Sequence, residues 1–171
     1  MNYEQFLLWI ISNPEYAGLA MFMIGFLESF FISGVIWPSA ILLLFAVGLS
    51  KADIELVYIC IGGGIGSWAG DILSFYSGLF FGPKLKKLNI LKKREAIFIK
   101  GENFFNKYGW SGILIGRLIP AIRPFIPFIA GISSMKPVIF LFSSLMACLI
   151  WMLLLAILTL GIDNIINLFK I

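Results

Sequence analysis

The sequence contains no histidine, only two cysteines and few charged residues. Charged side chains make up 13% of its 171 residues, whereas hydrophobic residues make up 60%. The absence of histidine excludes His-based phosphatase and protease chemistry and most transition-metal sites. Cys60 and Cys148 each lie alone in an apolar run, which is typical of small packing residues and indicates no redox compartment. Because the sequence shows no nucleophile–base pair and no metal-ligand pattern, we expect no enzymatic activity, no cofactor and no bound metal.

Long continuous apolar runs dominate what is present, and the mean hydropathy is +0.99. A soluble domain of this length needs far more polar surface. The runs do not alternate as the strands of a membrane barrel do, so helices are the expected spanning elements. The sequence therefore predicts an all-α integral membrane protein, with residues 1–171 forming a single membrane domain.

The start of the chain holds one short mixed segment and one long apolar segment. Residues 1–15 predict an interfacial helix. They lack the basic start and the cleavage site of a signal peptide, so we expect them to be retained. Residues 17–49 are interrupted by Glu28 and Pro38. One straight span needs about 20 residues, so this segment is too long for one span and too short for two. It predicts a helix followed by a broken segment.

Residues 54–82 carry a small residue at every fourth position over much of their length. The members of this small-residue stripe are Gly62, Gly66, Gly70, Ser74, Gly78 and Gly82. On one helix, such a stripe lets a neighbouring helix approach closely. The glycines therefore predict helix packing. Asp71 lies beside the stripe and has no such packing explanation.

The second half of the chain begins with a basic segment and ends with an apolar one. Residues 83–108 hold eight of the 13 lysines and arginines, so the positive-inside rule places them in the cytoplasm. They predict an amphipathic helix on the membrane surface. Residues 109–134 predict a second broken segment. Residues 137–162 form an uninterrupted apolar run that predicts a transmembrane helix.

Two interrupted segments in corresponding places are typical of transporters that have inverted repeats and a midplane binding site. With residues 83–108 inside, the segment broken near Pro38 meets the membrane from outside, and the one broken near Pro120 meets it from inside. A short echo supports the pairing, since residues 47–50 read Val-Gly-Leu-Ser and residues 130–133 read Ala-Gly-Ile-Ser. The sequence therefore predicts several transmembrane helices with two opposed re-entrant hairpins.

Four ionisable residues lie inside the apolar stretches: Glu28, Asp71, Arg117 and Arg123. A charged side chain at the centre of a bilayer costs about 2.5–3.5 kcal/mol or more, so pairing of the two signs is nearly obligatory. Pairing leaves two interpretations open. The charges either only hold the helices together, or they also line a substrate or proton site.

The two arginines narrow the class of ligand. A guanidinium is permanently charged and donates a fork of hydrogen bonds that matches phosphate or carboxylate. Backbone breaks add free N–H donors, and the candidate break positions are Pro38, Pro120, Pro124, Pro127, Gly116 and Gly131. A phosphate in hydrocarbon surroundings indicates a phospholipid or polyprenyl phosphate headgroup, bound by Arg117 and Arg123. Glu28 and Asp71 then balance the charge or carry a proton.

Several motifs resemble those of the DedA family, also called the SNARE-associated or VTT membrane domain. The specific motifs are Phe-Phe-Asn-Lys-Tyr-Gly-Trp at 104–110, Gly-Arg-Leu-Ile-Pro-Ala-Ile-Arg at 116–123 and Ala-Gly-Ile-Ser-Ser-Met at 130–135. Two looser matches pair Leu27-Glu28 with Pro38-Ser39, and Gly70-Asp71 with Gly78 and Gly82. The resemblance implies two re-entrant hairpins and translocation of lipids between leaflets. It also implies undecaprenyl phosphate as the leading bacterial substrate and a role for proton-motive force.

The resemblance assigns roles to the four buried charges. The family's essential acidic residue in the first motif corresponds to Glu28, and its two essential arginines correspond to Arg117 and Arg123. The aspartate of the second motif corresponds to Asp71. These assignments agree with the roles that the residue types alone suggest.

The chain departs from the family pattern at three positions. Ala40 stands where many members carry a second acidic residue, Phe75 stands where tyrosine is usual, and Leu79 stands where arginine is usual. All three departures remove polar groups from the expected site. They weaken the expectation of proton coupling and favour a different lipid or passive scrambling.

The sequence as a whole predicts a multi-pass lipid translocase of the bacterial plasma (inner) membrane. Its expected action is to move undecaprenyl phosphate from the outer to the inner leaflet for carrier recycling in cell-wall synthesis. Two alternatives stay open: a non-selective phospholipid scramblase, and a structural membrane protein whose buried charges only pair. The expected partners are membrane lipid and the bilayer, without nucleic acid, and the sequence leaves open whether the chain forms a homo-oligomer.

Overall fold

The part of the chain that the structure describes forms two long helices and four short ones. The computed structural model describes residues 16–35, 39–87, 103–105, 107–119 and 122–168, together with Gln5, Ser12 and Asn13. The helices are α1 (Ala17–Ser29), α2 (Ser39–Ser50), α3 (Leu56–Lys87), α4 (Ser111–Leu118), α5 (Phe125–Ile132) and α6 (Pro137–Leu168), with a 3-10 turn at Ser33–Val35. This part of the chain contains no strand, so the prediction of an all-α protein is confirmed. The predicted interfacial helix over 1–15 and most of the basic segment over 83–108 lie outside the described residues.

Helices α3 and α6 are each long and apolar enough to cross a bilayer. The apolar parts are Leu56–Gly82, with 27 residues, and Pro137–Ile162, with 26 residues. At about 1.5 Å per residue, either part exceeds a hydrocarbon core of about 30 Å. Both helices extend past the predicted ends, since α3 continues to Lys87 and α6 to Leu168. The α3 extension passes through Gly82 and Pro83, the residue types least favourable inside a helix, before it reaches helix-favouring lysine and leucine at residues 84–87.

The other helices are too short to cross a bilayer alone. Helices α1 and α2 have 13 and 12 residues, and α4 and α5 have 8 each. The break between α4 and α5 begins at Ile119, whose backbone is extended, as expected for a residue that precedes a proline. Pro127 costs α5 no hydrogen bond, because it lies in the first turn, where N–H groups have no partner within the helix. The two predicted interruptions are therefore present as paired short helices.

The small-residue stripe of α3 forms the centre of the fold. Its first half faces α1: a Cβ atom on Gly66 would collide with the carbonyl oxygen of Phe22. Its second half faces α5: a Cβ atom on Gly78 would collide with the carbonyl oxygen of Phe128. Two short helices therefore lie end to end along one long helix, at a distance that only small residues permit.

Ser74 marks the point on α3 where the α1 side of the stripe gives way to the α5 side. Its hydroxyl accepts a 3.0 Å hydrogen bond from the backbone N–H of Phe31, just after α1. The Phe31 ring stacks on the ring of Phe128 in α5, with 4.3 Å between the ring centroids. The end of one short helix and the side of the other thus meet near the middle of α3. The four buried charges lie close to this junction.

Candidate functional site

The structure brings all four sequence-predicted charges together. Glu28 lies at the end of α1, Asp71 in the middle of α3, Arg117 in the last turn of α4, and Arg123 in the turn before α5. All four are buried, with exposures between 2% and 8%. Four separate elements therefore contribute one charge each to a single polar centre with no net formal charge.

Arg117 and Asp71 form the more completely bonded of the two ion pairs. Arg117 Nη1 lies 3.0 Å from Asp71 Oδ2, and Nη2 donates to Oδ1 at 3.3 Å, so the guanidinium binds the carboxylate with both terminal nitrogens. Ser144 of α6 donates a further hydrogen bond to Asp71 Oδ2 at 2.6 Å. The sulfur of Cys148 lies 2.7 Å from Arg117 Nη1, and the hydroxyl of Ser29 lies 3.5 Å from Nη2. Both carboxylate oxygens and both terminal nitrogens are thereby occupied.

Arg123 and Glu28 form a simpler pair. Arg123 Nη1 donates to Glu28 Oε1 at 2.7 Å. The guanidinium carbon lies 4.3 Å from the ring centroid of Trp151 in α6, close enough for a cation–π contact. One carboxylate on one side and one aromatic face on the other thus hold Arg123.

The centre leaves buried polar atoms without a hydrogen-bond partner. On the four charges these atoms are Glu28 Oε2, Arg117 Nε and Arg123 Nη2. An unpartnered buried polar atom costs about 1–3 kcal/mol, and more on a charged group. Asp71 differs from Glu28, because both of its oxygens accept hydrogen bonds. The site can therefore form further hydrogen bonds with a ligand, because both arginines have an unused donor and Glu28 has an unused acceptor.

The predicted backbone positions have distinct local roles. Gly116, beside Arg117, lets α4 lie against α5, since a Cβ atom there would meet the side chain of Ile126. Gly131 lies against the backbone of α3 at Phe75.

The predicted prolines lie at the start of α5 or outside the described residues. Pro124 directly follows Arg123, is buried, and forms the N-cap of α5. Pro127 is fully buried in the first turn of α5, whereas Pro38 and Pro120 lie outside the described residues.

Helix α6 supplies three site residues that sequence reasoning missed: Ser144, Cys148 and Trp151. Their spacing of four and three residues places them on one face of a helix. Serine, cysteine and tryptophan are each ordinary in a membrane helix, so no single residue stands out. The signal that could have identified them is their combination on one face of the helix, because Ser144 and Trp151 carry hydrogen-bonding groups among mostly apolar neighbours.

Two departures from the family pattern lie in an apolar cluster around α3, α5 and α6. Phe75 is fully buried and stacks on Phe140, with 4.1 Å between ring centroids. Leu79 is half-buried and packs against the same cluster. The side chain of Ala40 lies outside the described part. Where tyrosine and arginine are usual, this chain therefore has hydrocarbon packing.

A cavity of about 70 Å³ lies beside the two arginines. Its lining residues are Leu114, Arg117, Arg123, Ala147, Ile150, Trp151 and Leu154. Two cations and one indole thus share a wall that is otherwise aliphatic. A cavity of this size has room for a small polar group and not for a whole lipid.

This architecture is that of a helical membrane protein with a buried charge centre, and comparison with known proteins identifies its family. Residues 37–160 match the VTT domain. The chain therefore belongs to the VTT-domain, or DedA, family, and the resemblance inferred from its motifs is confirmed.

Curated relatives include two proteins of Escherichia coli K12 and one of Buchnera aphidicola. The chain is 28% identical over 144 residues to the inner membrane protein YabI of E. coli, covering 84% of this chain and 57% of YabI. It is 33% identical over 145 residues to the uncharacterized membrane protein BU139 of B. aphidicola, covering 84% of this chain and 56% of that protein. It is 29% identical over 160 residues to the inner membrane protein YqjA, covering 88% of this chain and 70% of YqjA. The chain thus spans little more than half the length of the first two, and no solved structure matches it.

Proposed function

We propose that this protein is a lipid translocase that moves a phosphate-bearing lipid, undecaprenyl phosphate, between the leaflets of the bacterial plasma membrane. The observation that carries the proposal is the pair of buried arginines, both with unpartnered N–H groups, that line one cavity. Guanidinium donors are suited to phosphate oxygens. The choice of undecaprenyl phosphate, the carrier recycled in cell-wall synthesis, rests on the family resemblance.

Binding an anion in this centre requires a change in its charge balance. Two carboxylates already neutralise two arginines, so an incoming phosphate competes with a carboxylate for each guanidinium. Glu28 is the carboxylate that yields more readily, because one oxygen has no hydrogen bond, whereas Asp71 is bonded through both. A proton on Glu28 would weaken its pair with Arg123 and free that guanidinium for phosphate. This is a physical basis for proton coupling.

The arrangement of short helices supports the proposed path. We interpret α1 with α2, and α4 with α5, as two re-entrant hairpins that enter from opposite sides, with residues 83–108 in the cytoplasm. Their meeting near Ser74 on α3 would place the charge centre at about the middle of the bilayer. Sites at a junction of broken helices are typical of transporters with inverted repeats.

Reconstitution into liposomes tests the proposal. The protein should accelerate movement of a labelled polyprenyl phosphate between leaflets, measured by its exposure to a phosphatase added outside. Arg117→Lys and Arg123→Lys keep the charge and lose the fork of donors, so each should slow movement about tenfold or more, in keeping with the loss of a charge-assisted hydrogen bond. Lys136→Arg, an exposed cation outside the centre, is the matched control and should behave as wild type. Full activity in both lysine variants would exclude the phosphate site.

A non-selective scramblase is the second candidate, favoured by the apolar residues at Phe75 and Leu79. The same liposomes distinguish the two. A translocase should prefer polyprenyl phosphate over labelled phosphatidylcholine and respond to a pH gradient. Equal rates for both lipids and no response to pH would favour the scramblase.

A further inference from the structure

The cavity beside the arginines opens sideways, toward the surface that surrounds the helices. Ile150 and Leu154 of α6 both line the cavity and are 53% and 38% exposed on the outside of the protein. Leu114 and Arg117 of α4 line the same cavity. The cavity is thus bounded by α4, α6 and the two arginines, and two of its lining residues also reach the outer surface. Because α6 is a membrane-length apolar helix, this surface faces hydrocarbon.

We propose that this opening is a lateral portal through which the headgroup of a lipid reaches Arg117 and Arg123 directly from the bilayer. The inference rests on the proposed function and adds the route and the kind of molecule that uses it. Its rim is aliphatic and its inner end carries guanidinium groups, so it suits a molecule with a hydrocarbon chain behind an anionic head. A free inorganic phosphate has no chain to bury against Ile150 and Leu154.

Three of the residues that line the cavity each carry a buried hydrogen-bond donor without a partner. These donors are Arg117 Nε, Arg123 Nη2 and the indole Nε1 of Trp151, and all three residues line the cavity. Buried donors without partners are rare in proteins, so three in the walls of one cavity favour a ligand that can accept hydrogen bonds. A phosphate has enough oxygens to accept from all three.

Trp151 lies where the apolar and charged parts of the portal meet. Its ring covers the Arg123 guanidinium at 4.3 Å, so this aromatic face lies against a cation that the headgroup must reach. Trp151 therefore covers Arg123 with its ring and offers one N–H group to the headgroup.

Bulky substitutions at the rim test the route. At 3.6 residues per turn, Ile150 and Leu154 share a face of α6, whereas Leu149 and Leu153 point away and are also exposed. Leu154→Trp should narrow the portal and slow movement of polyprenyl phosphate about tenfold, in keeping with the cost of overpacking. Leu149→Trp, the matched control, should keep the wild-type rate. Equal rates in both variants, alongside arginine-dependent movement in the wild type, would overturn the portal and leave the proposed function standing.

Photocrosslinking tests binding without relying on movement. A polyprenyl phosphate with a photoreactive group on its first isoprene unit should label Ile150 and Leu154, as located residue by residue by fragmentation mass spectrometry. Excess unlabelled polyprenyl phosphate should abolish these adducts, and excess inorganic phosphate should not. Labelling on the Leu149 and Leu153 face instead would overturn the portal alone. The absence of any specific adduct would overturn both the portal and the proposed function.

Discussion

Individual side chains divide the charge centre into a firmly bonded half and a loosely bonded half. Asp71 is bonded through both oxygens, to Arg117 and to Ser144, and its half has the character of a structural anchor. Glu28 bonds to Arg123 through one oxygen only. We expect the first pair to stabilise the helices and the second to change during function.

Two neighbouring serines on α6 provide a matched test of the anchor. Ser144 donates to Asp71, whereas Ser143, also buried, donates only to the Ile139 carbonyl of its own helix. Ser144→Ala should lower the free energy of unfolding by about 1.5–3 kcal/mol, because it removes a hydrogen bond to a charged group. Ser143→Ala should have little effect, since a bond back to the same helix adds little stability. Denaturant titration in detergent measures both, and equal losses would refute the anchor role.

Glu28→Gln tests the loose half. Glutamine has the shape of glutamate without its charge, so the substitution removes the anion that competes with the lipid phosphate for Arg123. The purified variant should therefore bind polyprenyl phosphate about tenfold more tightly than the wild type, in keeping with the loss of one charge-assisted hydrogen bond to the competing carboxylate. A titration of labelled lipid at a single pH measures both proteins. Equal or weaker binding by Glu28→Gln would show that Glu28 does not compete with the lipid for Arg123.

Packing of the short helices against α3 depends on positions where side chains are excluded. Gly66 and Gly78 contact the backbones of α1 and α5, so an added methyl group would push each short helix away. Because both contacts are with backbone, side-chain rotation cannot relieve them. The charge centre lies where these helices converge, so their spacing also sets the distances within the ion pairs.

Alanine substitution of these glycines tests their role. Gly66→Ala and Gly78→Ala should each destabilise the protein by about 1–3 kcal/mol, the usual cost of overpacking. Gly161→Ala is the control, because nothing lies within 4 Å of a Cβ atom there; it should be neutral or stabilise by about 0.5–1 kcal/mol through helix propensity. Thermal unfolding in detergent measures all three. Similar stabilities would show that the stripe does not govern packing.

Sequence reasoning located the charges but could not pair them. Arg117, Arg123, Glu28 and Asp71 stand out because a charge in an apolar run is costly wherever the chain folds. Their pairing depends on which helices meet, and one sequence holds no record of contacts across 46 or 95 positions. Ser144 and Trp151 were missed because their residue types are compatible with an ordinary membrane helix.

Element boundaries were predictable where local chemistry decides them. The break at Ile119 follows from the proline after it, and the close packing of α3 follows from the spacing of its glycines. The extension of α3 past Gly82 does not follow from local chemistry, because Gly82 and Pro83 are poor helix formers and the sequence changes from apolar to basic at the same point.

For the molecule as a whole, the account requires a defined orientation in the membrane. Lys107 is exposed and belongs to the basic segment that we place in the cytoplasm. Lys107→Cys should react with a membrane-impermeant thiol reagent in inside-out vesicles and not in intact cells. The native cysteines, Cys60 and Cys148, are buried, so the wild-type protein serves as the control. Labelling in intact cells would invert the topology and the assignment of the two hairpins.

The lipid that the protein carries from its native membrane tests the phosphate site most directly. Purification followed by mass spectrometry should recover a polyprenyl phosphate with the wild type and with Lys136→Arg. Recovery should fall about tenfold or more in Arg123→Ala, since a charge-assisted hydrogen bond and a buried cation are lost together. Equal amounts of polyprenyl phosphate with wild type and Arg123→Ala, both folded by thermal unfolding, would contradict the assignment of the buried arginines as the lipid-phosphate site.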